Sequence, residues 1–157
     1  MEIERKYLIE ANEMPKDCLS YPFLQIEQAY LSTDPVVRIR RQEDSFYLTY
    51  KSRGKMAREE YNLPLNAQSY AHLLEKADGL ILTKKRYLIP AKDAGDPGSH
   101  LTIELDVFEG AYQGLILAEV EFSSEDEANQ FVPPAWFGRE VTFTGEYQNS
   151  VLAMKKL

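Results

Sequence analysis

Glu2-Ile3-Glu4-Arg5-Lys6-Tyr7-Leu8-Ile9 opens the chain, and the alternation within it sets the reading of everything that follows. Successive side chains of a strand point to opposite faces, so residues two apart stand on one side about 6.5 to 7 Å from each other. As a strand, this stretch puts Glu2, Glu4 and Lys6 on one face and Ile3 and Tyr7 on the other. The pattern recurs downstream. Arg38 and Arg40 oppose Val37 and Ile39; Arg58 and Glu60 oppose Tyr61 and Leu63; Glu104 and Asp106 oppose Ile103, Leu105 and Val107; Glu119 and Glu121 oppose Val120 and Phe122. Lys51 with Thr49, and Lys84 with Arg86, continue it.

Eight strand-like runs carry these faces: Glu2 to Ile9, Leu24 to Leu31, Val36 to Gln42, Phe46 to Ser52, Ala57 to Leu65, Ile81 to Pro90, Leu101 to Phe108 and Leu115 to Phe122. Between them lie turn-forming segments such as Ser32-Thr33-Asp34-Pro35, Ser52-Arg53-Gly54-Lys55 and the long Asp93 to Ser99, in a mostly hairpin-like order. Helical spacing appears in Asn66 to Lys76, in an acidic start at Ser124 leading to Phe131, and in Tyr147 to Lys156. Val132-Pro133-Pro134-Ala135-Trp136-Phe137-Gly138 reads as a rigid apolar loop, whose Trp136 and Phe137 seal an apolar face or contribute to a homodimer contact. The fold class is α+β, mainly β.

With 157 residues, 44% of them apolar, the chain is expected to form one domain over 1–157. No window approaches the roughly 18 consecutive apolar residues of a membrane span, and the charges at Glu2, Glu4, Arg5 and Lys6 are unlike a signal peptide, so a cytoplasmic protein without membrane contact is expected. The net charge of −7 argues against general affinity for nucleic acid, leaving any phosphate ligand to a local basic site. Cys18 has no cysteine to pair with and reads as a packing residue. His72 and His100, the only histidines, read as surface or packing groups, so a metal would be held by oxygen.

Any one ionic face could be a solvated sheet exterior. Repetition weakens that reading, because like charges at neighbouring positions of one face repel and call for ligands of opposite sign. Paired carboxylates suit hard divalent cations such as Mg²⁺ or Mn²⁺, and clustered Arg and Lys suit a multiply charged phosphate chain. Periodicity leaves open whether these faces look inward; inward faces require the apolar sides to be covered by helices, by the proline-rich loop or by another subunit.

Glu2-Ile3-Glu4-Arg5-Lys6 resembles the Glu-x-Glu-x-Lys signature of the CYTH, or triphosphate tunnel metalloenzyme, superfamily. Arg38-x-Arg40, Lys51, Arg58-x-Glu60, Lys84-x-Arg86, Glu104-x-Asp106 and Glu119-x-Glu121 follow in that family's order. The resemblance implies an eight-stranded antiparallel closed barrel with flanking helices and its charged face inside. It implies metal binding by Glu2, Glu4, Glu119 and Glu121, with Glu104 and Asp106 as lesser candidates, and a triphosphate gripped by Lys6, Arg38, Arg40, Lys51, Arg58, Lys84 and Arg86. Lys51, Lys84 and Tyr30 become the candidates for catalytic roles, Tyr30 by pairing with Lys51, and Glu60 a further tunnel residue. Asn62, where a related chain often continues the acidic alternation, and Glu146, where a basic residue is common, depart from the pattern.

The implied activity is metal-dependent hydrolysis of a small-molecule triphosphate by water. Likeness of Leu117 to Phe122 and of Pro133 to Gly138 to short bacterial members favours inorganic tripolyphosphate. A class IV adenylyl cyclase and a non-catalytic polyphosphate- or nucleotide-binding module are the alternatives. No Ser-His-Asp or Cys-His set and no Gly-rich phosphate loop suggests a covalent or P-loop route.

Overall fold

The structure is a computed structural model and describes residues 1–155. Nine strands form one antiparallel sheet: β1 (Glu2–Leu8), β2 (Phe23–Thr33), β3 (Val36–Gln42), β4 (Ser45–Lys51), β5 (Ala57–Arg58), β6 (Glu60–Leu65), β7 (Asp78–Pro90), β8 (Thr102–Glu109) and β9 (Ile116–Glu121). Their order across the sheet is β5-β1-β9-β8-β7-β2-β3-β4-β6.

The expected strand from Ala57 to Leu65 is two strands, and the reason is topological. Arg58 pairs with Glu2 of β1 while Glu60 pairs with Lys51 of β4, so one stretch of chain must serve both edges of the sheet. At the bend, Glu59 leaves the ladder and exchanges hydrogen bonds with Ser52, whose N–H donates to the Glu59 carbonyl at 3.0 Å and whose Oγ accepts from the Glu59 N–H at 2.8 Å. The two edges are thereby drawn together and the barrel is nearly closed.

Three helices flank it: α1 (Ala67–Leu74), α2 (Glu125–Gln130) and α3 (Asn149–Met154); the end of the third expected helix, Lys156, lies outside the described residues. Helix α1 starts on a reciprocal cap, with Asn66 Oδ1 accepting from Ser69 N–H at 2.7 Å and Ser69 Oγ accepting from Asn66 N–H at 3.1 Å. Short 3₁₀ turns at Lys16–Ser20, Ala91–Ala94 and Gly110–Tyr112 were not legible in the periodicity.

The apolar outer faces are covered from within the chain. Ile3, Tyr7, Ile103, Leu105 and Val120 are buried beneath Phe131, Trp136 and Phe137, with Cys18 packed into the same cluster, so the proline-rich loop does seal an apolar face. Arg5 pins this cover in place: its guanidinium donates twice to Glu140, both at 2.7 Å, and to the Ala128 carbonyl at 2.8 Å. Ala29 and Ile39 are covered by Tyr70 and Leu73 of α1. Inside the barrel, one end is filled by Leu82, Phe108 and Leu117 against Leu152 and Ala153 of α3. No helix among the described residues is long and apolar enough to cross a membrane.

Seating α3 requires a glycine. Gly79 has φ 72°, and a Cβ there would collide with the Ala153 carbonyl. The left-handed conformation alone costs a β-carbon about 1–2 kcal/mol, so Gly79→Ala is expected to lower the Tm by roughly 4 °C or more. Gly98, with open space around it, serves as the control. Equal melting of the two variants in a thermal denaturation experiment would contradict this seating.

Candidate active site

The barrel interior holds a cavity of about 370 Å³. The side chains lining it are those that strand alternation put on the ionic faces: Glu2, Glu4, Lys6, Arg38, Arg40, Lys51, Arg58, Glu60, Lys84, Arg86, Glu104, Glu119 and Glu121, with Tyr30 beside them. Asp106 is the sequence-predicted residue that does not line it. It is wholly buried behind Lys84 and Arg86, taking Lys84 Nζ at 2.6 Å and two Arg86 nitrogens at 2.7 and 2.9 Å.

Register decides which charges meet. Four cross-strand positions bring opposite charges together: Glu2 with Arg58, Lys6 with Glu119, Lys51 with Glu60 and Arg86 with Asp106. Two others, on the adjoining strands β1, β9 and β8, bring acid against acid: Glu4 with Glu121 and Glu104 with Glu119. Like charges directly opposite one another destabilise a sheet unless something neutralises them.

The ion pairs follow from that register. Lys51 Nζ lies 3.0 Å from Glu2 and Arg58 Nε 3.4 Å from it; Lys6 lies 3.4 Å and Arg86 3.6 Å from Glu119; Arg86 also reaches Glu104 at 3.1 Å. Burial opposes ionisation of Glu2, but Lys51 and Arg58 overcome it and draw its pKa down to about 2. Burial likewise opposes ionisation of Glu119, yet Lys6, Arg86 and Lys84 hold it well below the usual carboxylate range. Lys84 moves the other way. Burial, assisted by the repulsion of Arg86 and Arg40, pushes it down to about 7 despite its contact with Asp106.

Among the described residues, three buried charged groups of the tunnel have no counter-charge in contact. Arg38 and Arg40 are buried but meet neutral partners: Arg38 Nη2 donates to Thr49 Oγ1 at 3.3 Å and Arg40 donates twice to Gln28 Oε1, at 3.0 and 2.6 Å. Arg38 Nε has no partner at all among the described residues. Burial and the neighbouring Arg38 and Arg86 depress Arg40 to about 9, the mark of a cation short of anions. On the opposite wall Glu4 is buried with no hydrogen bond or ion pair among the described residues, and burial, Glu119 and Glu2 push its carboxyl up to about 8. Glu121 and Glu104 are also raised, by burial first and then by neighbouring acids. One wall of the tunnel lacks an anion and the other lacks a cation.

The acidic wall fits a divalent ion on these grounds. Among the described residues no three acids already form a cage, so an ion there would keep water or take ligand oxygens, as Mg²⁺ commonly does. Tyr30 lines the tunnel, but its hydroxyl is engaged by Gln28 Nε2 at 3.3 Å, and no hydrogen bond joins it to Lys51 among the described residues. Asn62 also lines the cavity, accepting from Thr49 Oγ1 at 2.6 Å, whereas Glu146 is exposed and does not. Cys18 is a buried packing residue, His72 is exposed, and His100 sits on the surface 2.7 Å from Glu127. Thr49 stands on the ionic face with Lys51 as expected, whereas Gln28 and Asn149 are site-forming residues that charge patterning missed; the signal for Gln28 was position, since it is in phase with Tyr30.

A CYTH domain model matches residues 1–151, and the chain belongs to that family. It is 37% identical over 156 residues to the inorganic triphosphatase of Nitrosomonas europaea, covering 98% of this chain and 97% of the relative. It is 31% identical over 156 residues to the inorganic triphosphatase of Acetivibrio thermocellus, covering 96% and 92%. A solved structure of an inorganic triphosphatase superposes with a TM-score of 0.70 at 34% identity, covering 99% of this chain and 96% of the other. Membership implies a divalent metal requirement.

The crowded carboxylates of the acidic wall give the protein in chelator a defined pH dependence. Between the ordinary carboxyl value of 4.5 and about 8, folded Glu4 holds a proton that the unfolded chain has lost, so stability falls as pH rises. Glu2 contributes only below 4.5, and Lys84 opposes the trend only above about 7. In chelator, Tm should therefore decline from pH 5 to pH 7. Added Mg²⁺ or Mn²⁺ should raise Tm more at pH 7 than at pH 5.5. A Tm that rises over this interval, or an ion effect larger at the lower pH, would contradict the assignment.

Proposed function

We propose that this tunnel is the active site of an inorganic triphosphatase that cleaves tripolyphosphate to pyrophosphate and orthophosphate. The observation that carries the reading is the pairing of a cationic wall short of anions, at Arg38 and Arg40, with an acidic wall short of a cation, at Glu4 and Glu121. A triphosphate with its divalent ion supplies both deficits at once. Full-length similarity to two inorganic triphosphatases supports the same substrate.

Arg38 and Arg40, with Lys6, Lys51, Arg58, Lys84 and Arg86, hold the phosphate chain and stabilise the charge that develops on it. Glu4, Glu119 and Glu121, with Glu104 and Glu2 adjoining, would hold Mg²⁺ or Mn²⁺. When bound, the ion neutralises phosphate oxygens and acidifies water. Asp106 keeps Lys84 and Arg86 oriented from behind. The oxygen of a water molecule attacks the terminal phosphorus, the bond to the bridging oxygen breaks, and pyrophosphate leaves as orthophosphate forms. Lys84, depressed to about 7, can exchange a proton with the reacting groups near neutrality, and Lys51, lowered chiefly by burial and then by Arg38, is the second candidate, with Tyr30 beside them. Residues 1–157 act as one domain. A cyclase would need an apolar slot for a purine base, and apart from Met1, Tyr30 and Val36 the lining is charged or polar.

The test is incubation of the protein with tripolyphosphate, ATP or thiamine triphosphate, with and without Mg²⁺ or Mn²⁺, measuring phosphate, pyrophosphate and cyclic AMP. Metal-dependent phosphate release from tripolyphosphate is expected; cyclic AMP from ATP, or no turnover, would overturn the proposal. Glu4→Gln should lower turnover by at least ~100-fold with Tm unchanged or raised, because the substitution removes a carboxylate that resists ionisation. Undiminished activity in this variant would remove Glu4 from the metal site.

A further inference from the structure

Arg40 and Lys84 are joined by two neutral amides. Gln28 Oε1 accepts both bonds from Arg40, at 3.0 and 2.6 Å; Gln28 Nε2 donates to Asn149 Oδ1 at 2.8 Å; and Lys84 Nζ donates to the same Asn149 oxygen at 2.9 Å. Arginine and lysine are donors only, so the two ends of this chain fix the orientation of both amides. Gln28 must turn its oxygen to Arg40 and its nitrogen to Asn149, and Asn149 must turn its oxygen inward to take two bonds. The amide nitrogen of Asn149 then has no protein partner among the described residues, while the residue itself lines the cavity.

We infer that Gln28 and Asn149 are positioning residues, a neutral relay that aims the tunnel cations Arg40 and Lys84 at the phosphate chain, adds no further negative charge at Lys84 and leaves Arg40 with no acidic partner; this rests on the triphosphatase reading above. A carboxylate in either position would hold the same donors equally well but would neutralise them. Elsewhere in the tunnel that happens: Lys6, Lys51, Arg58 and Arg86 all have acidic partners, and Lys84 itself has Asp106 behind it, so Arg40 is the end of the relay with no acid. Arg38 is held in the neutral manner too, through Thr49 and Asn62. The relay also ties the site to the C-terminal helix, since Asn149 is the first residue of α3 and that helix is anchored by buried Leu152 and by the Tyr112 hydroxyl donating to the Leu152 carbonyl at 2.6 Å.

Isosteric substitutions separate positioning from mere support. Asn149→Asp keeps the shape and the acceptor oxygen and gives up only a nitrogen with no protein partner among the described residues, so a purely structural role tolerates it; Gln28→Glu keeps the oxygen that takes Arg40 but loses the donor to Asn149. The relay predicts that Asn149→Asp folds with Tm at or above that of the parent, and that each variant raises KM for tripolyphosphate at least ten-fold with a smaller change in kcat. Asn149→Ala, which removes the acceptor and adds no charge, should lower kcat more than it raises KM. If the parent turns over tripolyphosphate and both isosteric variants keep its KM, the relay is wrong while the triphosphatase reading stands. If the parent shows no turnover, the triphosphatase reading fails, and calorimetric binding of tripolyphosphate decides the relay: weaker binding by Asn149→Asp and Gln28→Glu supports it, and equal binding, or none by the parent, overturns it.

Discussion

Burying many charges on the inner face of one barrel is the constraint on which this structure depends. Glu2, Glu4, Lys6, Arg38, Arg40, Lys51, Lys84, Arg86, Asp106 and Glu119 are all buried, six cations against four carboxylates. An isolated ion in a protein interior costs several kcal/mol even after relaxation, so a sheet that turns such a face inward must pair its charges by register. It does so at Glu2–Arg58, Lys6–Glu119 and Arg86–Asp106. It does not do so at Arg38, Arg40 and Glu4. Those incompletely compensated groups are the ones we propose to meet the ligands, and the remaining ion pairs are the framework that makes their burial tolerable.

The same constraint explains the outside of the barrel. Because both faces of β1, β8 and β9 are buried, their apolar outer residues need a cover, which α2 and the loop through Trp136 and Phe137 supply, as α1 does over Ala29 of β2 and Ile39 of β3. Arg5 shows the cost of a charge on that outer face being met locally, by Glu140 and the carbonyl of Ala128. At one end α3 closes the interior with Leu152 and Ala153 and carries Asn149 to the edge of the charged region. Packing at the C-terminal helix and chemistry in the tunnel are thus mechanically continuous.

Much of this was legible in the sequence because strand alternation is a strict geometric rule. Glu2, Glu4 and Lys6 had to share a face, and so did Lys84 and Arg86; the structure adds only which way those faces look. What alternation could not reveal is cross-strand register. Nothing in Glu104-x-Asp106 distinguishes the residue that lines the cavity from the one sealed behind Lys84 and Arg86. The break at Glu59 was hidden for a similar reason: Ala57 to Leu65 has good strand character throughout, and only closure of the sheet forces it to change partners. Charge patterning could not single out Gln28 or Asn149, because neutral amides carry no charge pattern, although they hold two of the tunnel cations.

The account stands or falls on whether the two uncompensated walls are where ligands bind. Diffraction from crystals soaked with Mn²⁺ and tripolyphosphate, with the anomalous signal of manganese recorded, measures this directly. The ion should lie against Glu4 and its neighbours Glu119 and Glu121, with the phosphate chain against Arg38, Arg40 and Lys84 inside the barrel. Manganese and phosphate bound only outside the barrel, or phosphate inside with no manganese at Glu4, would contradict the division of the tunnel into a cation-holding and an anion-holding wall.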